Sequence, residues 1–320
     1  MSSHSLPLAY ENSGKMRPVH IIRDLSKIAD LVELCFHKNM DGEGQRYVQQ
    51  MRDASNNRRY LQWASSSMPL LGYVWEDENK IVGNISIVPF NKGDFLLANI
   101  AVHPDYRRRG IARQLTERGM QHVRKRNAKA IWLHVEEDNN AAIQLYLSLG
   151  FQGKALRTTW NASAGLRPQP KTRNPHITTK TSRFWEKNHL WLSQAYPENL
   201  RWYRMPDFQI FRPGLKYWLY RFFVEHDVRQ WAIQKDGKLQ ALINWIPMRA
   251  RRTPLWLATT PQADAASLAE LLLHARLQLL SQRTQLYIDY PARQHVEAFT
   301  QAGFTAQRTL LWMCAPGKSS

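Results

Sequence analysis

VHPDYRRRGIARQL, residues 102–115, decides how this chain is read. Val102 closes an apolar run, Pro104 breaks it, and Gly110 stands just before an amphipathic stretch that continues to about Arg126. Strand, short loop and helix in that order leave several backbone N–H groups without intrahelical partners at the positive end of the helix dipole. Such a turn is a ready anion site. Gly110 lets an anion approach the backbone because it has no Cβ, and Ala112 keeps the first helical turn small. Arg107, Arg108, Arg109 and Arg113 add charge and paired donors. The loop lacks a Gly-Lys-Ser/Thr ending and has one glycine, so it is neither a Walker loop nor a dinucleotide fingerprint. Residues 103–130 carry nine basic and two acidic side chains, so a solvated basic face accounts for several of the arginines. It does not account for a glycine, a small residue and arginines at the spacing a phosphate requires.

Outward from the loop, the first half has a clear order of elements. Ile28, Leu31, Val32, Cys35 and Phe36 recur at helical spacing. Residues 73–75 and 81–88 read as strands joined in a hairpin by the acidic turn 76–80. Phe95–Val102 is an apolar strand, 131–135 a second, 140–149 a helix closed by Gly150, and 151–160 a last strand. The second half repeats this pattern. KIVGNISIVP (80–89) lies over KLQALINWIP (238–247), ANIAVHP (98–104) over LWLATTP (255–261), and AIQLYLSLGF (142–151) over HVEAFTQAGF (295–304). Three matches in one order, at offsets drifting from 158 to 153, imply two copies of one domain. Between them, 161–182 holds three prolines, four basic residues and no acidic one, and reads as an extended linker. The expected organisation is a flexible N-terminus 1–16, a first domain 17–160, the linker 161–182 and a second domain 183–320.

Composition bounds the function. With 320 residues and 43% hydrophobic content the chain builds real cores, which excludes global disorder. No segment approaches the ~20 apolar residues of a membrane span, and the N-terminus has no apolar signal region. Two cysteines exclude a disulfide framework and a Cys-rich zinc site, so a cytoplasmic protein without a metal is expected. Cys35 falls on the core stripe of the first helix and Cys314 in the last strand, neither in a setting for nucleophilic catalysis. The net charge of +18 is spread over the chain, +6 in 1–160, +4 in 161–182 and +8 in 183–320. It raises anionic partners, nucleic acid included, but no zinc-finger spacing or RNA-stacking motif supports that partner.

Two motifs together resemble the GNAT N-acetyltransferases. Arg107-Arg108-Arg109-Gly110-Ile111-Ala112 is similar to the family's Arg/Gln-x-x-Gly-x-Gly/Ala acetyl-CoA pyrophosphate loop. NNAAIQLYLSLGF (139–151) is similar to its later motif, through Asn139, Ala142, Tyr146, Gly150 and Phe151. The resemblance covers roughly 17–160. It implies an α/β fold in which each copy is a central mixed sheet flanked by helices. It also implies a strand, here including Ile100, Ala101 and Val102, that splays from its neighbour and pairs with the pantetheine arm of acetyl-CoA, its backbone donors holding the thioester carbonyl. The resemblance places Tyr146 as the acid that protonates the leaving thiolate. Relatives that acetylate protein N-termini often place Glu where His134 stands in IWLHVEED. His134 is therefore the candidate base, and Glu136, on the same strand face, its substitute. Alternatives stay open at each position: a core-facing aromatic for Tyr146, a plain cleft residue for His134. The implied activity is transfer of an acetyl group to an amine-bearing small molecule or protein. The rival reading is a non-catalytic GNAT-derived module that binds nucleic acid or a protein through its basic surface.

The second copy departs from the motifs. An offset of 157 sets Asp264 against Arg107, Ser267 against Gly110 and Ala269 against Ala112; an offset of 153 sets Phe299 against Tyr146. An acidic residue and a lost hydroxyl predict a copy that does not bind CoA productively. This half holds eight of the twelve tryptophans, among them Trp185, Trp191, Trp202 and Trp218, most of which are expected to fill its core.

Overall fold

The computed structural model describes residues 14–37, 40, 42–56, 71–90, 93–162, 176–200, 205–214, 227–247, 252–280 and 285–317. The chain forms two compact units. The first comprises 1–154 together with 312–320, and the second comprises 155–311. The boundary therefore falls earlier than the expected 160, and the end of the chain returns to the first unit. The reason lies in strand pairing, given below for each unit.

The first unit contains β1 (Lys15–Pro18), α1 (Ile21–Phe36), α2 (Gly42–Asn56), β2 (Leu71–Asp77), β3 (Lys80–Phe90), β4 (Asp94–Val102), α3 (Ile111–Arg124), β5 (Ala130–Glu136) and α4 (Asn140–Ser148). Its sheet runs β1-β2-β3-β4-β5 and is closed beside β5 by the far end of β13 (Thr305–Pro316). Lys15 and Met16, expected in a flexible terminus, pair with Glu76 and Trp75. The β2–β3 hairpin turns at Glu78 and Asn79, both at positive φ (45° and 64°), the two-residue geometry whose twist matches the strands. α1 buries Leu25, Ile28, Ala29, Leu31 and Val32, while Phe36, expected on the same stripe, is exposed because the helix ends there. Fully buried Asp24 is held by Arg17 Nη1 at 2.6 Å, and Arg17 also donates to Glu76 at 2.7 Å.

The second unit contains β6 (Gln152–Ala162, from Ala155), β7 (Ile177–Thr178), α5 (Trp185–Ala195), β8 (Arg229–Lys235), β9 (Lys238–Trp245), β10 (Arg252–Pro254), β11 (Trp256–Thr259), α6 (Ala265–Leu279), β12 (Gln285–Pro291), α7 (Val296–Gln301) and β13 as far as Leu311. Its strands lie in two sheets, β11-β9-β8-β7 and β13-β6-β12-β10, rather than in the single central sheet expected of each copy. β6 pairs antiparallel with β12 from Arg157↔Pro291 to Ala162↔Leu286, which is why the second unit begins before the expected linker. Residues 161 and 162 thus belong to a strand, and 177–178 pair with β8; 163–175 lie outside the described residues, as do Trp202 and Trp218. The internal repeat is visible in detail. The β8–β9 turn uses Asp236 and Gly237 at positive φ (50° and 72°), as Glu78 and Asn79 do in the first unit. Phe304 N donates to Phe299 O at 2.9 Å just as Phe151 N donates to Tyr146 O at 3.0 Å. Among the described residues no helix is long and apolar enough to cross a membrane.

Candidate functional site

The loop between β4 and α3 is built by its own backbone. Pro104–Tyr106 forms a 3-10 turn that His103 caps by accepting from Asp105 N at 3.4 Å, a loop role rather than a basic one. Arg108 and Gly110 follow at positive φ, 61° and 78°. No side chain caps α3, whose first backbone bond, Gln114 N to Gly110 O, is 3.1 Å. A Cβ on Gly110 would meet only Gln114, at an ordinary 3.7 Å, so the position needs glycine for its left-handed backbone rather than for space inside the protein. The N–H groups of the first turn of α3 have no intrahelical acceptor and form the positive end of its dipole.

The arginines do less direct work than their charge suggested. Arg107 Nε donates to Val102 O at 3.3 Å, and Arg109 Nη2 donates to Asp105 O at 2.8 Å with its guanidinium over the Tyr106 ring. Arg113 Nη2 donates to Ser148 Oγ at 2.7 Å, tying the start of α3 to the end of α4. Three of the four candidate side chains are thus engaged within the protein, two of them on the loop itself.

β4 carries the second feature. Its parallel ladder with β5 covers Asp94–Leu96 against Ala130–Trp132 and then stops, so the rest of β4, including Ile100, Ala101 and Val102, is unladdered on that side. A register shift against β3 falls at Asn99–Ile100, with Asn99 at φ 50°. Asn84 Nδ2 holds the Asn99 carbonyl at 2.9 Å, and Asn99 Nδ2 donates to Tyr47 Oη at 3.2 Å. Sequence reasoning missed Asn99; the one available signal is a polar, turn-favouring residue inside an apolar strand.

On β5, His134 and Glu136 are both half-buried and alternate with buried Leu133 and Val135. The His134 ring lies 3.9 Å from the ring of Trp312, tilted by 37°. Trp312 was not singled out from sequence, since 178 residues separate the pair. Tyr146 is buried, packed edge-on against Phe151 at 6.0 Å, and burial pushes its phenol well above the usual range, so it stays protonated. Asn139 caps α4, accepting from Ala142 N at 3.2 Å.

The corresponding places in the second unit are filled by the protein itself. α6 begins after Asp264, so Asp264 rather than Ser267 stands where α3 has Gly110. The expected alignment fails because five residues join β11 to α6 where eight join β4 to α3. Asp264 caps the helix and accepts Lys235 Nζ at 2.9 Å; hydrogen bonds from Ser267, then Lys235, hold its carboxyl down at about 2. On β12, Asp289 pairs at 2.5 Å with buried Arg157. Phe299, in the place of Tyr146, stacks on Trp160 at 4.7 Å.

Residues 32–151 match the family described as Acetyltransferase (GNAT) family. This chain carries a GNAT acetyltransferase domain. The matched span contains the Gly110 loop, the diverging strands and α4. The [ribosomal protein bS18]-alanine N-acetyltransferase of Escherichia coli is 45% identical over 64 residues, 20% of this chain and 43% of that protein. This chain thus spans less than half of that relative's length. The mycothiol acetyltransferase of Thermobifida fusca is 45% identical over 53 residues, 17% of this chain and 16% of that protein. Among solved structures, a GCN5-related N-acetyltransferase from Sphaerobacter thermophilus superposes with a TM-score of 0.60 at 13% identity, covering 99% of this chain and 98% of the other. A tandem GNAT protein from the clavulanic acid biosynthesis pathway gives 0.55 at 13%, covering 96% and 99%. At such identities the likeness is one of fold, and it extends over both units.

Proposed function

We propose that the first unit is an acetyl-CoA-dependent N-acetyltransferase acting by direct attack of a primary amine. The observation that carries this reading is the ending of the β4–β5 ladder at Leu96 beside a helix that no side chain caps. The donor set fits acetyl-CoA. Backbone N–H groups from Gly110 to Arg113 would hold the pyrophosphate, with Arg108 adding charge, and the unladdered edge of β4 at Ile100–Val102 would hold the pantetheine arm and the thioester carbonyl. Acetyl-CoA supplies the activated acyl group.

The protein's own residues manage the protons. His134 accepts the proton that the incoming ammonium must lose, with Glu136 two residues along the same face as the substitute. The amine nitrogen would form its bond to the acyl carbon as the carbon–sulfur bond breaks; Tyr146 would give its proton to the leaving sulfur, and the second proton that the nitrogen sheds in becoming an amide would restore the Tyr146 hydroxyl. Burial disfavours the Tyr146 phenolate, so the hydroxyl rests protonated and the ring regains its proton after each transfer. Asn139 serves by fixing the first turn of α4, which carries Tyr146. Buried Ile111 and Leu115 seat the helix of the anion loop. The second unit binds no CoA, since Asp264 occupies its helix N-terminus and the half-buried Asp289, paired with buried Arg157, stands at the counterpart of His134.

Amine acceptors are supported by the relatives named as bS18-alanine and mycothiol acetyltransferases. Calorimetric titration with acetyl-CoA tests the reading: one site per chain is expected, lost in Gly110→Trp. A folded protein that binds no acetyl-CoA at millimolar concentration overturns it.

A further inference from the structure

We propose that Trp312, from the last strand of the chain, is a positioning residue for the His134 imidazole. The inference rests on the acetyltransferase reading of the first unit and adds to it a residue some 160 positions beyond the motifs. Three observations converge. The rings of Trp312 and His134 lie 3.9 Å apart. Trp312 is only 3% exposed, with neighbours Met313 and Ala315 fully buried, so its own rotamer is fixed by packing. The strand that carries it is docked without slack: Gly317 N donates to Lys129 O at 3.1 Å, and a Cβ on Gly317 would sit 1.9 Å from Ala128 O.

The register follows from these contacts. Five residues back from Gly317 is Trp312, and five forward from Lys129 is His134, the relation of directly opposed residues on antiparallel strands. The indole therefore covers one face of the imidazole and restricts its rotation. An aromatic face also favours the ring as it gains positive charge on accepting a proton. The second unit has no such device: the residue of β6 opposite Asp289 is Thr159, and the carboxylate is held by Arg157 instead.

The experiment is a double-mutant cycle on the full chain, reading free-thiol release from acetyl-CoA with an alanine-initiated peptide. Trp312→Leu keeps an apolar side chain, though a smaller one, and loses the aromatic face; Trp312→Phe restores that face. The expected result is a fall in kcat of about tenfold or more in Trp312→Leu, short of the ~10²–10⁴-fold of removing a general base. The KM for acetyl-CoA stays unchanged, Phe rescues most of the loss, and Trp312→Leu has no further effect in a His134→Ala background. Equal losses with and without His134, or a Leu variant as active as wild type, overturn the proposal. A second readout does not depend on turnover. The His134 ring proton in NMR, assigned by its loss in His134→Ala, moves downfield in Trp312→Leu when the ring-current shielding is removed; an unmoved signal also overturns the proposal. An inactive wild-type chain that binds no acetyl-CoA counts against the acetyltransferase reading, and the NMR result still decides whether Trp312 holds His134.

Discussion

Asp264 accepts both the backbone N–H and the hydroxyl of Ser267, at 2.8 and 2.6 Å. A helix N-terminus that offers itself to an anion in the first unit is here capped by the chain's own carboxylate. The carboxyl lies at about 2 in the fold against 3.8 ordinarily. A depressed carboxyl contributes stability that is complete above its unfolded value and disappears as pH falls through the folded one. Thermal melts should therefore show the second unit losing stability between pH 4 and 2, with that dependence reduced in Asp264→Ala. An unchanged acid limb in the variant would refute the assignment.

The anion loop predicts a contrast between the units. Gly110→Trp places a bulky residue at φ 78° and over the first-turn N–H groups, and should abolish acetyl-CoA binding in a folded protein. Asp264→Asn, at the matching place in the second unit, should leave acetyl-CoA affinity alone. Paired calorimetric titrations check both, and retained affinity in Gly110→Trp would move the cofactor elsewhere.

Tyr146→Phe removes only a hydroxyl from a buried ring. If that hydroxyl protonates the leaving sulfur, kcat should fall by roughly 10²-fold or more, with acetyl-CoA affinity unchanged. A variant that turns over normally would return Tyr146 to the role of a core aromatic against Phe151.

What was legible in the sequence was local. Gly110 before a helix, the acidic hairpin turn around Glu78 and the Tyr146–Phe151 helix end are each set by a few consecutive residues, and each formed as expected. The repeat was legible for the same reason, since the matching elements keep their order. The Asp264 alignment was missed because a loop shortened by three residues changes the offset without leaving a motif. The domain ends were missed because pairing partners lie far apart: β6 opposes β12, more than 120 residues on, and nothing in TLLWMCAP marks it as the strand beside β5. Trp312 was hidden with it, and Asn99 because a bulge depends on the neighbouring strand's register.

Arg17 is a structural prediction independent of chemistry. It reaches Asp24, which is buried, and Glu76, which lies on β2 opposite Ile81. Burial alone would raise the Asp24 carboxyl; hydrogen bonds from Arg17, His20 N and Arg23 outweigh it and bring it below the usual value. Arg17→Met leaves that carboxylate with Arg23 and one backbone N–H, so the loss should fall near the low end of the ~3–5 kcal/mol for breaking a buried pair. Denaturant unfolding of wild type and variant at neutral pH measures it, and the gap should narrow as acid protonates Asp24 in both.

The last prediction concerns where the first unit ends. A chain cut near residue 170 contains every acetyltransferase motif but lacks Trp312–Gly317, so β5 is left without the strand that closes its edge. Buried Trp312, Met313 and Ala315 go with it. Truncating one large core side chain typically costs ~2–5 kcal/mol, and a domain's whole stability is about 5–15 kcal/mol. The fragment 1–170 should therefore aggregate or fail to bind acetyl-CoA. Joining residues 14–154 by a short flexible linker to 305–317 restores the missing strand without the rest of the second unit. That chimera should be soluble and bind acetyl-CoA, with its binding again abolished by Gly110→Trp. If 1–170 is instead stable, monomeric and as competent for acetyl-CoA as the full chain, the C-terminal strand is dispensable to the first unit, and the pairing of Trp312 with His134 has no bearing on its fold.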